Sequence, residues 1–338
     1  MAAGVNPVKF NCRRILAGFV LMGVAMVVTP AAAVTLKGLS LNEVMASHGF
    51  GPPSEYGRSA VYRSRTSTVV FEAGSRLVVV DGMMLYLNRA VEKAGRIWVV
   101  APIDAADTLG AVFYPMRALK SVRGVTVVID PGHGGSDPGA GGINGIIEKQ
   151  LTLDVARRIR AKLRESGVSV WMTRDGDAAV TLDERCWKMS KLGADVFVSI
   201  HFNASRNQAT AGVETYIVPA AGYPTTAEED RRGPKARPTN CPGNRFDGAN
   251  VVLAALIHKG LVAHSGSEDR GIRRARFYVI RNASCPAVLV ECGFLSNRRE
   301  VTRIANEDVR DRLAEGISRG ILTYLSRVRE LRLPPVFK

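Results

Sequence analysis

Histidine and cysteine are scarce in this chain, five of each among 338 residues, and acidic residues number only 31 against 46 lysines and arginines. No G-x-x-x-x-G-K-[ST] run occurs anywhere. Each shortage excludes something. Without that run, the glycine-rich turn at residues 132–135 is not a nucleotide-phosphate cradle. Cys12 precedes the first apolar run, where a lipid-anchoring cysteine does not occur, so a lipid anchor is not expected. The other four, Cys186, Cys241, Cys285 and Cys292, follow no disulfide framework, and a chain of this size needs none. The acid deficit leaves a formal charge of +15, of which Lys9, Arg13 and Arg14 stand immediately before the apolar stretch Ile15 to Val28. That stretch is too short to cross a bilayer comfortably, and Ala31-Ala32-Ala33 behind it reads as a cleavage site. Residues 1–33 are therefore expected to be a signal peptide, leaving an exported protein of charge +12 with no stable membrane anchor. Such a charge draws the protein toward polyanions. Export and the lack of aromatics interleaved with the basic residues argue against nucleic acid.

What is present is a repeated placement of chemistry at strand ends. Val127-Val128-Ile129-Asp130 runs into Pro131-Gly132-His133-Gly134-Gly135, Val196 to Ile200 ends in His201, and Ala287 to Val290 ends in Glu291. In parallel sheets, ligands bind beyond the carboxyl ends of strands, where these three side chains are expected. A helix with the stripe Leu151, Val155, Ile159 and Leu163 puts Glu148 at its start, able to turn back toward His133. His133, Glu148 and His201 make two imidazoles and a carboxylate, a ligand set that leaves a fourth tetrahedral position for water. Zinc suits this mixture best, with iron and manganese left open by residue type. Glu291 is then the residue that handles protons. Cys292, next to it, points to the opposite face of a strand and reads as a small buried hydrophobe rather than a nucleophile. His258 and His264, on or beside an amphipathic helix, are expected to be structural.

From about Gly124 to Leu325 the chain resembles the zinc-dependent N-acetylmuramoyl-L-alanine amidases of bacterial cell walls, the amidase 3 family. The resemblance rests on ordered motifs: Asp130-Pro131-Gly132-His133-Gly134-Gly135, Asp137-Pro138-Gly139-Ala140, Glu148-Lys149, Thr173-Arg174-Asp175, Leu182 with Glu184-Arg185, Gly193-Ala194-Asp195, Ser199-Ile200-His201 with Asn203, Gly212-Val213-Glu214, Pro286 to Glu291, and Gly293 to Asn297. It departs from the family at Met189-Ser190 and Cys292, neither of which touches a proposed ligand. The resemblance implies that His133, Glu148 and His201 bind one Zn2+ per chain and that Glu291 is the catalytic glutamate. It implies peptidoglycan as substrate, cut between N-acetylmuramic acid and L-alanine, and a periplasmic or wall-associated location. A protein activator is an open partner. The rival reading is a catalytically inactive wall-binding or activator protein on the same fold.

Residues 34–123 have a separate character. Val69 to Phe71, Leu77 to Val80, Met84 to Leu87 and Ile97 to Val100 read as short strands, with Asp81-Gly82 a hairpin turn, and a short helix follows at Ile103 to Leu109. This segment resembles, faintly, the copper amine oxidase N-terminal-like domain. With His48 as its single histidine and no cysteine, a copper site is not expected. Its expected role is targeting or spacing.

Residues 124–329 alternate strands with helices, including Glu148 to Glu165 ended by Gly167, a capping box at Thr181 to Glu184, and helices Ala249 to Ala263 and Asn306 to Arg329. A strand is expected at Arg276 to Ile280. Residues 219–248, rich in proline, glycine and charge, read as a rim or lid over the cleft or as a surface insertion. The expected fold is α/β, a mostly parallel twisted sheet with helices on both faces, preceded by a small β-rich N-terminal domain and followed by a flexible tail at 330–338.

Overall fold

The computed structural model describes residues 38–119, 126–142, 145–227 and 240–331. The expected signal peptide, and the expected tail beyond Leu331, lie outside the described residues. The N-terminal segment supplies β1 (Leu39–Ser40), α1 (Leu41–Ser47), β2 (Ser54–Tyr56), β3 (Ser59–Arg63), β4 (Thr68–Glu72), β5 (Leu77–Val80), β6 (Met83–Tyr86), β7 (Glu92–Ala94) and β8 (Ile97–Val100). A π-helical turn at Asp104–Leu109 then leads into α2 (Gly110–Phe113) and α3 (Pro115–Ala118). The remainder follows as β9 (Thr126–Pro131), α4 (Glu148–Glu165), β10 (Ser169–Met172), α5 (Leu182–Lys191), β11 (Val196–Asn203), β12 (Val213–Ile217), α6 (Asp247–Ser265), β13 (Asp269–Arg274), α7 (Tyr278–Arg281), β14 (Ala287–Phe294), α8 (Arg298–Ala305) and α9 (Glu307–Glu330).

One sheet of eleven strands runs through both segments in the order β10-β9-β11-β14-β12-β13-β6-β5-β4-β3-β2. Strands β10, β9, β11 and β14 are parallel, whereas β12 lies antiparallel to β14. The mixed α/β fold with helices on both faces is thus as expected. Alternation along the strands sorts the faces. Val127, Ile129, Val196, Val198, Ile200, Val288, Val290 and Cys292 join a core with α4, α6 and α9. Val128, Phe197 and Leu289 face the other way, onto Met189 of α5 and Val279 of α7. Asp130, Ser199, His201 and Glu291 share the parity of this second face, which is why polar chemistry collects there. The apolar α6 is a core helix. It meets α9 so closely that a Cβ on Gly260 would lie 2.3 Å from the carbonyl oxygen of Gly316.

Local signals account for the ends of elements. Asp81 and Gly82 both take left-handed φ (51° and 86°), as a two-residue hairpin requires. Gly167 (φ 75°) ends α4, with Val168 N–H returning to Leu163 O at 3.1 Å. Thr181 and Glu184 cap α5 reciprocally.

The strand expected at Arg276 to Ile280 is absent. The chain pairs at Asp269–Arg274 instead, and Tyr278–Arg281 is a helical turn. An Asp-Arg-Gly-Ile-Arg-Arg strand does not look like one, because its burial depends on partners elsewhere. Arg274 donates to Tyr86 O (2.9 Å) and Thr108 Oγ1 (2.9 Å), while Arg270 and Arg273 reach Glu214. The pairing of β13 with β6, through Ile272 and Leu85, joins the N-terminal strands to the sheet. The 219–248 segment follows Ile217, the end of β12, and its middle, residues 228–239, on which the rim or lid reading turns, lies outside the described residues.

Candidate metal centre

The carboxyl ends of β9, β11 and β14 lie side by side, with Ile200 opposite Pro131 and His201 opposite Glu291. Past Pro131 the backbone turns so tightly that a Cβ on Gly132 would sit 2.2 Å from Cε1 of His201. His133 follows with φ 59°, a left-handed conformation that costs a non-glycine residue about 1–2 kcal/mol. It is held from several sides. Arg185 Nη2 donates to His133 O (2.7 Å), and Gly134 and Asp137 exchange backbone hydrogen bonds. Asp137 Oδ2 lies 2.7 Å from His133 Nδ1, which leaves Nε2 free to face inward.

Glu148, the first residue of α4, is buried between the two imidazoles. Its Oε1 lies 3.1 Å from His133 Nε2 and 2.9 Å from His201 Nδ1, and accepts from Phe202 N–H at 3.0 Å. Its Oε2 accepts from Ala140 N–H at 2.8 Å. Burial alone would raise this carboxyl's pKa, but His133, His201 and the Ala140 N–H outweigh it and hold Glu148 far below the usual range. The carboxylate is therefore anionic. Gly139 (φ 69°) closes the cradle, since a Cβ there would lie 2.6 Å from Glu148 Oε2 and 2.7 Å from His133 Cδ2. One ligand atom from each of His133, Glu148 and His201 falls within 4.8 Å of the others. Two imidazole nitrogens and an anionic oxygen converging on one point, with Asp137 fixing a ring from behind, fit a divalent metal ion.

Glu291 differs from Glu148 in every respect but burial. It is only 8% exposed, and its Oε2 has no hydrogen-bond partner among the described residues. Burial raises its pKa well above the normal value, with Glu148 and Glu214 adding to the effect. Glu214, opposite Glu291 in register, is tied by Arg270 (3.0 Å), Arg273 (3.2 Å), Asn203 (3.1 Å) and the Tyr216 hydroxyl (2.8 Å). Glu148 and Glu291 are thus driven apart, one held as an anion and one poised to carry a proton.

All four expected site residues meet at this end of the sheet. Asp130, Arg174, Arg185 and Glu214 stand among the motifs quoted above, but the sequence reading assigned them no part. Fully buried Asp130 accepts from Thr173 Oγ1, Arg185 Nη1 and Ser199 Oγ at 2.5–2.8 Å. Arg174 donates to the carbonyls of Pro131, Gly132 and Lys149. These buried charges hold the backbone that presents His133. The available signal was an arginine two residues past a strand end, at Thr173-Arg174. Cys292 is buried on the opposite face, and His258 is enclosed between Thr215 and Asp269. A cleft of about 430 Å³ opens beside the centre, lined by His133, His201, Thr181, Leu182, Phe277 and Val279 among others.

Residues 127–323 match the N-acetylmuramoyl-L-alanine amidase family, amidase 3. The chain belongs to this family. It is 31% identical over 297 residues to N-acetylmuramoyl-L-alanine amidase LytC of Bacillus subtilis, covering 87% of this chain and 53% of LytC. It thus spans about half of that relative's length. AmiA of Escherichia coli is 30% identical over 62% of this chain and 78% of its own. Among solved structures, the catalytic domain of CwlV from Bacillus (Paenibacillus) polymyxa var. colistinus shares 35% identity, with a TM-score of 0.50. That match covers 60% of this chain and 98% of the CwlV domain. AmiC2 of Nostoc punctiforme is similar at 34% identity and TM-score 0.50, covering 60% and 98%.

Proposed function

We propose that this chain is an exported, zinc-dependent peptidoglycan amidase that hydrolyses the amide joining N-acetylmuramic acid to the L-alanine of the stem peptide. The observation that carries the reading is the convergence of His133, Glu148 and His201 on one point with Glu291 unpartnered beside it. His133, Glu148 and His201 would hold one zinc per chain. The ion would supply Lewis acidity toward the scissile carbonyl and the attacking water. Glu291 takes the proton from that water and delivers it to the leaving amine, for which its raised pKa suits it. Asp137 keeps His133 in the tautomer whose Nε2 faces the centre. Arg174 and Arg185 keep the glycine turn in place.

Family membership supports the substrate class, and the presence of all four residues weighs against an inactive wall-binding or activator protein. The signal peptide at 1–33, a periplasmic or wall-associated location, a targeting or spacing role for residues 34–123 and a catalytic region at 124–329 belong to the same reading. So does a protein activator as an open partner. Metal analysis together with mass spectrometry of digested wall fragments tests it. The expected outcome is one zinc per chain and release of stem peptides with a free L-alanine amine from uncut glycan. Products that retain the muramoyl–alanine amide, from folded zinc-loaded protein, would overturn it.

A further inference from the structure

A second cavity, of about 590 Å³, lies between the end of α1, the π-helical turn, α2, α3 and the start of α6. It shares no lining residue with the cleft beside the metal centre. Gly248 in its wall stands just before Asn250, whose side-chain oxygen accepts from the N–H of Ala287 at 2.8 Å. Ala287 opens β14, and the strand runs roughly 13 Å from there to Glu291, so this cavity belongs to the other end of the sheet. Its walls are made of short side chains, Ala105, Ala106, Ala111 and Ala118. The π-helical turn that carries two of them is of a kind frequent at functional sites.

Three polar side chains line this cavity without a polar partner among the described residues. Asp107 has neither hydrogen bond nor ion pair, whereas Asp104 on the same turn is taken up by Asn88, Arg89 and Thr108. Arg117 stacks on Tyr114, with Cζ 4.6 Å from the ring centroid, and meets no carboxylate. His48 packs its ring against Phe113 and Tyr114, at 5.0 and 5.2 Å between centroids, but its Nδ1 is buried with no hydrogen bond. Burial and then Arg117 lower the pKa of His48, so the ring is neutral at pH 7 and able to give or take a hydrogen bond. Asp107 and Arg117 do not pair with each other. Asp107 lies instead in the field of Arg274 and Asp104, where Asp104, Asp107 and Asp247 make three carboxyls to the two guanidiniums of Arg274 and Arg76. One end of the cavity is therefore acidic and the other basic. We propose that it binds a small zwitterion, an amino acid or short peptide whose ammonium meets Asp107 and whose carboxylate meets Arg117. The His48 Nδ1 then gains the hydrogen bond it lacks. A phosphate or other all-anionic ligand would face Asp107 and its neighbouring acids, and a simple amine would leave Arg117 unmatched. The volume lies within the range of small-ligand sites, and alanine walls leave room for short side chains.

Calorimetry with the full chain tests this, using L-alanine and L-trialanine as probes, each beside its N-acetyl and C-terminal amide forms. Capping either end is expected to weaken binding about tenfold, since each cap removes one charge-assisted contact. In Asp107→Asn the N-acetyl form should bind as well as the free amine, with discrimination against the amide retained. Arg117→Gln should do the opposite. Neither side chain has a polar partner to lose, so both variants keep the fold, which thermal midpoints check. Tighter binding of trialanine would identify a peptide site and tighter binding of alanine a free amino-acid site, and either sustains the proposal. His133→Ala separates this site from the metal centre and should leave probe binding unchanged. Failure of every probe to bind, equal binding of capped and free forms to the unsubstituted chain, or variants that weaken all forms alike would each overturn it. So would binding lost in His133→Ala and untouched in Asp107→Asn, which would place the probes at the metal centre.

Discussion

Glu291 and Arg274 are ionisable side chains sunk into the same sheet, on β14 and on β13 two strands away, and the sheet treats them oppositely. Arg274 donates to Tyr86 O and Thr108 Oγ1 and lies in the field of Asp104, itself fully buried and hydrogen-bonded by Asn88, Arg89 and Thr108. Burial pulls its pKa down to about 10, so it stays charged at neutral pH. Glu291 keeps one oxygen without a partner and is pushed toward its neutral form. A buried charge that is fully matched holds structure together, and an unmatched one costs stability and is retained where it does chemistry.

Glu291→Gln separates the two buried charges most clearly. The substitution preserves shape and removes basicity, so turnover should fall by roughly two to four orders of magnitude with zinc content unchanged. Its thermal midpoint should not fall, because a neutral amide replaces an acid whose ionised form was already disfavoured. Near-native turnover would require another proton carrier. Arg274→Ala should do the reverse. It removes the buried guanidinium that lies in the field of Asp104 and leaves Tyr86 O and Thr108 Oγ1 without that donor, at a cost of about 3–5 kcal/mol read by denaturant unfolding. A loss under 1 kcal/mol would mean that the seam between β6 and β13 does not depend on that charge.

How much of this was visible beforehand follows the same division. The strand-end residues were legible because each closes a mostly apolar run, as His201 does after Val196 to Ile200. Helix α4 was legible from its four-residue stripe and from Gly167. The seam was not. Strand β13 contains three arginines, and its burial depends on Glu214, Tyr86 and Thr108, distant in sequence. Periodicity registers burial against apolar neighbours and is blind to burial against remote partners. Asp130 escaped for the same reason, since nothing local announces that Arg185 will arrive from 55 residues away.

A smaller effect tests whether the glycine cradle serves the centre or only the backbone. Gly139 and Gly266 both have left-handed φ, 69° and 65°, but an added Cβ meets Glu148 and His133 at the first and nothing within 4 Å at the second. Gly266→Ala should cost about 1 kcal/mol from conformation alone. Gly139→Ala should cost roughly 1–2 kcal/mol more and lower zinc affinity as well, read by melting and by competition with a chelator. Equal costs with equal zinc affinity would show that Glu148 has room to move.

The smallest expected effect is a pH dependence at the seam. Asp247 opens α6, and burial, with Asp107 adding, pushes its pKa up to about 6 despite hydrogen bonding from Asn244 and the nearby Arg274. Its folded pKa lies above the unfolded value near 4, so the folded state binds more protons between those limits. Stability from this group is therefore fully present below about pH 4 and is lost as pH rises to about 6, with no further change above. Asp247→Asn keeps an acceptor for Asn244 and removes the titration. The variant should match the unsubstituted protein near pH 4 and exceed it at pH 7 by on the order of 1 kcal/mol, less than the pKa shift alone implies because water reaches the helix start and the helix dipole favours the carboxylate. Urea midpoints measured across pH 4–7 decide the matter: parallel curves would show that Asp247 ionises freely, and that the seam, unlike the centre, holds no carboxyl against its charge.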